Sequence, residues 1–294
     1  MVAGIDGAGL PKSNKTVTEN SDFAIEGADL MASWIGKPPQ EGTFDGSYMV
    51  DDAGSRIDDN VLSAAELESY LSKKDVKMGA KHNPNVAVIQ YQLGMRGDDV
   101  DGSYGPKTHK AIAQYRVDQR VQNFTDDRGQ IDYGKLLADK DFRVYTSTIA
   151  GEAIGQGVEA QKMIANIINN RVFNSRDGWK GAQTPIEVLR KGGFDALDYK
   201  TGQYKQAMGY FESDVSSNKR TLDNMVKAIA PIYLGKGQDS TDGSVLYFSP
   251  NTQLELYFEG EISRPVPDGK WNAIEEVYVP GVTRTEDFMI FKYK

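Results

Sequence analysis

The chain has no cysteine and only two histidines, His82 and His109, among 294 residues. No disulfide can form, and no thiol nucleophile exists. A zinc hydrolase needs clustered His, Cys or carboxylate ligands, and two separated histidines make a poor zinc site. A Ser-His-Asp hydrolase would have to use one of the two, and both precede the segment richest in active-site signals. Carboxylate chemistry is what remains. Long apolar runs are also missing. None approaches the ~20 residues that a membrane-crossing helix needs, so no membrane span is expected. The first fifteen residues have neither a basic start nor an apolar stretch, so a secretory signal is not expected.

Positive charge is scarce at the start of the chain. Residues 1–70 hold thirteen Asp/Glu against four Lys/Arg, a net of −9, while the remainder nets +1. The overall −8 therefore belongs to that segment and argues against nucleic acid as its partner. A solvated arm and a surface that docks a protein partner are the two readings left for residues 1–70. Hydrophobic residues make up 39%, enough for packed cores, and the length suits about two domains.

Residues 1–72 read as an acidic N-terminal arm with two short helices. Phe23, Leu30, Met31, Trp34 and Ile35 recur at helical spacing after Ser21-Asp22, and Gly36-Lys37-Pro38-Pro39 ends that helix. Ser63-Ala64-Ala65-Glu66 opens the second by a capping box. The acidic stretch between them, with Asp51, Asp52, Asp58, Asp59 and Glu66, resembles a degenerate EF-hand loop in its second half. Its first half departs: counting back from Glu66 puts Ser55 and Ile57 on ligand positions and Asn60 where glycine belongs. Calcium is thus a candidate ligand, an acidic turn before a capped helix the alternative. No other cofactor is expected.

Residues 75–135 form the next unit. Val86, Val88, Ile89, Gln92 and Leu93 make an apolar helix face, Asp101-Gly102-Ser103-Tyr104-Gly105-Pro106 a tight turn, and Thr108 is expected to cap a helix carrying Ala111, Ile112 and Tyr115. The run DGSYGPKTHKAI, in register with VIQYQLG before it and AIAQYR after it, resembles the small three-helix peptidoglycan-binding domain found beside many wall hydrolases. That resemblance implies bacterial peptidoglycan as the partner. Asn123 to Asp141 reads as a polar linker with room for one short helix.

Residues 142–294 are the catalytic candidate. A helix-like segment from Phe142 ends at Gly151-Glu152-Ala153, and a second helix runs from Val158 to Val172 with Met163, Ile164, Ile167 and Ile168 on one face. Glu152 therefore stands at the mouth of a helical core, where a carboxyl group can work as a general acid. Thr184-Pro185 starts another helix, Leu222 to Leu234 a further one that Pro231 should kink or end. Strands are expected at 243–248, 275–279 and 289–293.

The segment IAGEAIGQGVEAQKMIANIINNRV resembles the SleB-type cell-wall hydrolases of spores and phages. Gly151, Glu152, Ala153, Gly155, Gln161, Asn170 and Arg171 fall in the family's register. Pro185, Val188 and Gly192-Gly193-Phe194 match its second block, and Asp242 to Pro250 its third. Two positions depart: Gln156 replaces a glutamate and Ala160 a glycine. The resemblance implies an α+β, mostly helical architecture: a lysozyme-like catalytic domain behind the small three-helix domain. It also implies cleavage of the MurNAc-GlcNAc β-1,4 bond, expected to run as a lytic transglycosylase with Glu152 as the single acid and base. Hydrolysis by water, as in a muramidase, is the alternative, with Glu159, Asp177 and Asp195 as candidate second carboxylates. A non-enzymatic wall-binding or virion protein is the other. Gln156 is assigned to substrate or to Glu152, or else to loop capping. Phe194 and Tyr247 line the sugar groove or pack the core. Asn170 and Arg171 tie helix to sheet or loop. A phage lysin that reaches the wall from the host cytoplasm through a holin, or rides in the virion, fits this combination.

Overall fold

The computed structural model describes residues 62–174, 179–192, 194–198, 200–213, 219–248, 258–260, 274–280, 282 and 288–293. The helix read at 22–36 and the acidic residues Asp51, Asp52, Asp58 and Asp59 lie outside them. Among the described residues the protein is mostly helical with one small antiparallel sheet, a helical α+β architecture. It divides into two compact units between Tyr115 and Arg116, inside a helix and upstream of the boundary at 135 drawn from sequence.

The first described helix of the first unit is α1 (Ala64–Leu71), capped as its sequence suggests. Ser63 Oγ accepts from Glu66 N–H, and Glu66 Oε2 accepts from Ser63 N–H at 2.8 Å. Asn83 Oδ1 caps α2 (Pro84–Gln92) by accepting from the N–H groups of Asn85 and Val86. Leu67, Leu71, Val86, Ile89, Tyr104 and Ile112 form the core. Each such side chain contributes about 1.5–3 kcal/mol on burial.

The Asp-Gly-x-Tyr-Gly turn is held from inside by Gln90, which is 1% exposed. Its Oε1 accepts from Gly102 N–H, and its amide NH2 donates to Asp101 Oδ1 and Thr108 Oγ1. Gly102 has φ +68, and a Cβ there would lie 2.7 Å from Asn83 N, so only glycine fits. Thr108 is not a cap. The helix α3 (Pro106–Phe124) starts at Pro106, and the buried Thr108 hydroxyl donates to Ser103 O instead. Proline at the helix start, already pre-set in φ, takes over the starting role assigned to Thr108.

The second unit is built around a helix pair. Asp132 caps α4 (Tyr133–Ala138), the short helix expected in the linker, and Asp139 caps α5 (Lys140–Ala153) through Phe142 N–H at 2.7 Å. Helix α6 (Gly157–Phe173) returns along α5, burying Met163, Ile164, Ile167 and Ile168. Helices α7 (Pro185–Arg190), α8 (Asp195–Asp198), α9 (Gly202–Ser213) and α10 (Lys219–Tyr233) complete the layer, each packed on α5. Pro231 does not end α10, which runs on through Ile232 and Tyr233 because both are buried.

Tyr233 shows what that burial gains: its ring lies 5.1 Å from Phe142 and 4.9 Å from Tyr145. Strands β1 (Leu246–Phe248), β2 (Ile274–Glu276) and β3 (Met289–Tyr293) pair in the order β1-β3-β2, with Tyr247 opposite Ile290. The first strand starts later than its sequence suggests. Asp242 and Gly243 both take positive φ, and a turn occupies that place.

Candidate active site

Glu152 lies in the last turn of α5 and is half-buried. Its placement follows from the helix: Tyr145, Ile149 and Ala153 face the core, and Glu152 falls on the flank of that face. Both carboxylate oxygens are held. Oε1 accepts from the backbone N–H of Ala196 at 2.9 Å. Oε2 accepts from the Tyr247 hydroxyl at 3.2 Å.

The neighbouring glycine makes the first contact attainable. A Cβ on Gly151 would sit 2.3 Å from the Cβ of Ala196 and 3.0 Å from Thr201 Oγ1. Helix α8 can therefore approach α5 closely enough for its backbone to reach Glu152. Where α5 ends, Gln161 Nε2 donates to the Ala153 carbonyl at 3.3 Å and satisfies one terminal acceptor.

The aromatic residues do not offer their faces to a sugar. Phe194 is 0% exposed and Tyr247 4%, with ring centroids 6.3 Å apart, and Phe288 meets Tyr247 edge-on at 5.6 Å. They form the packed floor beneath the carboxylate, and only the Tyr247 hydroxyl takes part in polar contacts with it. The groove-lining alternative for these two rings is thereby replaced by core packing, because the hydrophobic gain of burying them is large.

Gln156 is exposed at the N-cap of α6, where its side chain makes no capping bond. Nor does it bond Glu152 among the described residues. Of the candidate second carboxylates, Glu159 is exposed and paired with Lys162 at 2.9 Å. Asp195 begins α8, and Asp177 lies outside the described residues.

Asn170 and Arg171 tie α6 to the segment before β1. Asn170 Nδ2 donates to Thr241 Oγ1 and Ser244 O, each at 3.0 Å, and to Asp239 Oδ2 at 3.1 Å. Arg171 Nε donates to Val245 O at 2.8 Å. Asp239 had no place in the sequence reading, although its Asp-x-Thr-x-Gly spacing is a turn signal. Burial pushes its carboxyl up, and hydrogen bonds from Thr241, Gly243 and Asn170 outweigh that and hold it below its ordinary value. Ala196 was also missed, because a backbone N–H leaves no mark on side-chain chemistry.

Glu66 serves the capping box of α1, and its calcium partners proposed from sequence lie outside the described residues. Among the described residues, no group of three or more His, Asp or Glu is arranged to hold a metal, and no helix is long and apolar enough to cross a membrane. No protein-family model, curated protein or solved structure matches the chain.

Proposed function

We propose that the protein cleaves the glycan strand of bacterial peptidoglycan at the MurNAc-GlcNAc β-1,4 bond, as a lytic transglycosylase with a lysozyme-like catalytic domain. One observation carries the reading. Three sequence blocks that resemble a wall-hydrolase pattern, around Glu152, Phe194 and Tyr247, meet at a single carboxylate through the Ala196 and Tyr247 contacts. Random similarity in three short stretches gives no reason for them to converge on one acidic group.

The chemistry asks for one acid that changes role. Glu152 donates its proton to the glycosidic oxygen as the C1–O bond of the MurNAc residue breaks. The 2-acetamido group stabilises the cationic centre. The C6 hydroxyl of the same sugar then bonds to C1 while Glu152 takes its proton, leaving a 1,6-anhydro end. No water enters the products, so no second carboxylate is required. Ala196 N–H and the Tyr247 hydroxyl keep the carboxylate oriented through both half-reactions. The first unit, with its Asp-Gly-x-Tyr-Gly turn, supplies wall affinity and raises the local concentration of the enzyme on an insoluble polymer.

Mass spectrometry of muropeptides released from purified peptidoglycan tests this, with wild type beside Glu152→Gln. Anhydro products lighter by one water support the reading, provided that Glu152→Gln releases none. Hydrated, reducing ends identify a muramidase instead. Absence of any product from wild type leaves a wall-binding role alone.

A further inference from the structure

Arg171 is a charge that a simple helix-to-sheet tie does not need. It is 5% exposed, near the C-terminal end of α6, and among the described residues none forms an ion pair with it. Its guanidinium lies 4.6 Å from the Trp179 ring centroid and 5.0 Å from that of Phe194. Removing a guanidinium from water without an ion-pair partner is costly. Burial lowers its pKa to about 10, while the nearby Tyr247 and Glu152 groups act to raise it. The adjacent Asn170 already anchors the same segment through Thr241 and Ser244.

The contacts of Arg171 have a pattern. Phe194 stands two residues before Ala196, and Val245 two residues before Tyr247. Ala196 and Tyr247 are the two donors to Glu152. We propose that Arg171 is a positioning residue for Glu152: stacked on Phe194 and bonded to Val245, it sets the two segments whose donors hold the carboxylate. The planar guanidinium is what the role demands. It stacks on rings with its faces and donates in its plane, whereas a lysine ammonium offers a point charge with neither geometry. Trp179 is the second aromatic neighbour of the cation. The inference rests on the reading of Glu152 as the reacting acid, but its geometry can be tested without that reading.

The test compares wild type, Arg171→Lys and Trp179→Leu, with ring signals of labelled tyrosine assigned by Tyr247→Phe. In Arg171→Lys the Tyr247 ring signal shifts toward its position in Glu152→Gln, and kcat on soluble glycan strands falls at least about tenfold with KM changed less than about twofold. Trp179→Leu, which keeps the charge and removes one stacking partner, moves the same signal in the same direction. A Tyr247 signal unchanged in both folded variants overturns the proposal, whatever happens to the melting temperature, and leaves Arg171 as a structural tie. If wild type cleaves no peptidoglycan, the functional reading fails while the tyrosine signal still decides the role of Arg171.

Discussion

The Tyr247 hydroxyl donates to Glu152 Oε2 at 3.2 Å across 95 residues of chain. Helix α5 brings one partner, the first strand of the sheet the other, and the Asn170 and Arg171 bonds to residues 239–245 set the distance between them. The Tyr247 ring is meanwhile packed against Phe194 and Phe288. Its hydroxyl and its ring therefore have separable jobs.

Tyr247→Phe keeps the ring and removes the donor. It should lower kcat by about tenfold, equivalent to ~1.4 kcal/mol of transition-state stabilisation, and leave the melting temperature nearly unchanged. Parallel kinetics and calorimetry check it. An unaltered kcat would remove Tyr247 from the site.

Gly151→Ala should damage fold and site together. The new methyl collides with Ala196, so α8 must move away from α5 and take the Ala196 N–H off Glu152. Overpacking of this kind costs about 1–3 kcal/mol. Chemical denaturation would report it, and muropeptide release should fall further than the lost stability accounts for.

Gly102→Ala addresses the first unit. The position needs φ +68, and a Cβ would press on the backbone of Asn83, which caps α2. A destabilisation of about 1–3 kcal/mol is expected. Sedimentation with insoluble peptidoglycan should show weakened binding, while cleavage of short soluble strands persists because Glu152 and its donors belong to the other unit.

Asp239 predicts a pH dependence. Its carboxyl is held below the ordinary value of 3.8, so its native contacts stabilise the fold above that pH and are lost as pH falls through the depressed value. Because the residue is solvent-exposed, screening keeps the effect modest. Thermal melts of wild type and Asp239→Asn should therefore differ near neutrality and converge on acidification below 3.8. A constant difference across that range would contradict the assignment.

Much of the helical skeleton was legible in the chain. The capping box at Ser63 and Glu66, the Thr184-Pro185 start and the apolar face of α6 all appear where local sequence puts them. Such signals act within one turn of helix, so neighbouring residues suffice to set them. Thr108 as a cap and Pro231 as a helix end depart from the local signals for the opposite reason. Thr108 lost its capping role to Pro106 and the buried Gln90 network, and Pro231 is tolerated because burial of Ile232 and Tyr233 outweighs one missing hydrogen bond.

The amino-acid sequence placed Glu152 at a helix end and excluded thiol chemistry. It could not reveal that Phe194 and Tyr247 turn inward, that Ala196 supplies a backbone donor, or that Arg171 stacks beneath the site. Those contacts join residues 44 and 95 positions from Glu152 in the chain, or depend on a backbone group common to nearly every residue. Only packing decides which distant segments meet, because the hydrophobic gain is summed over the whole core and carries no local mark.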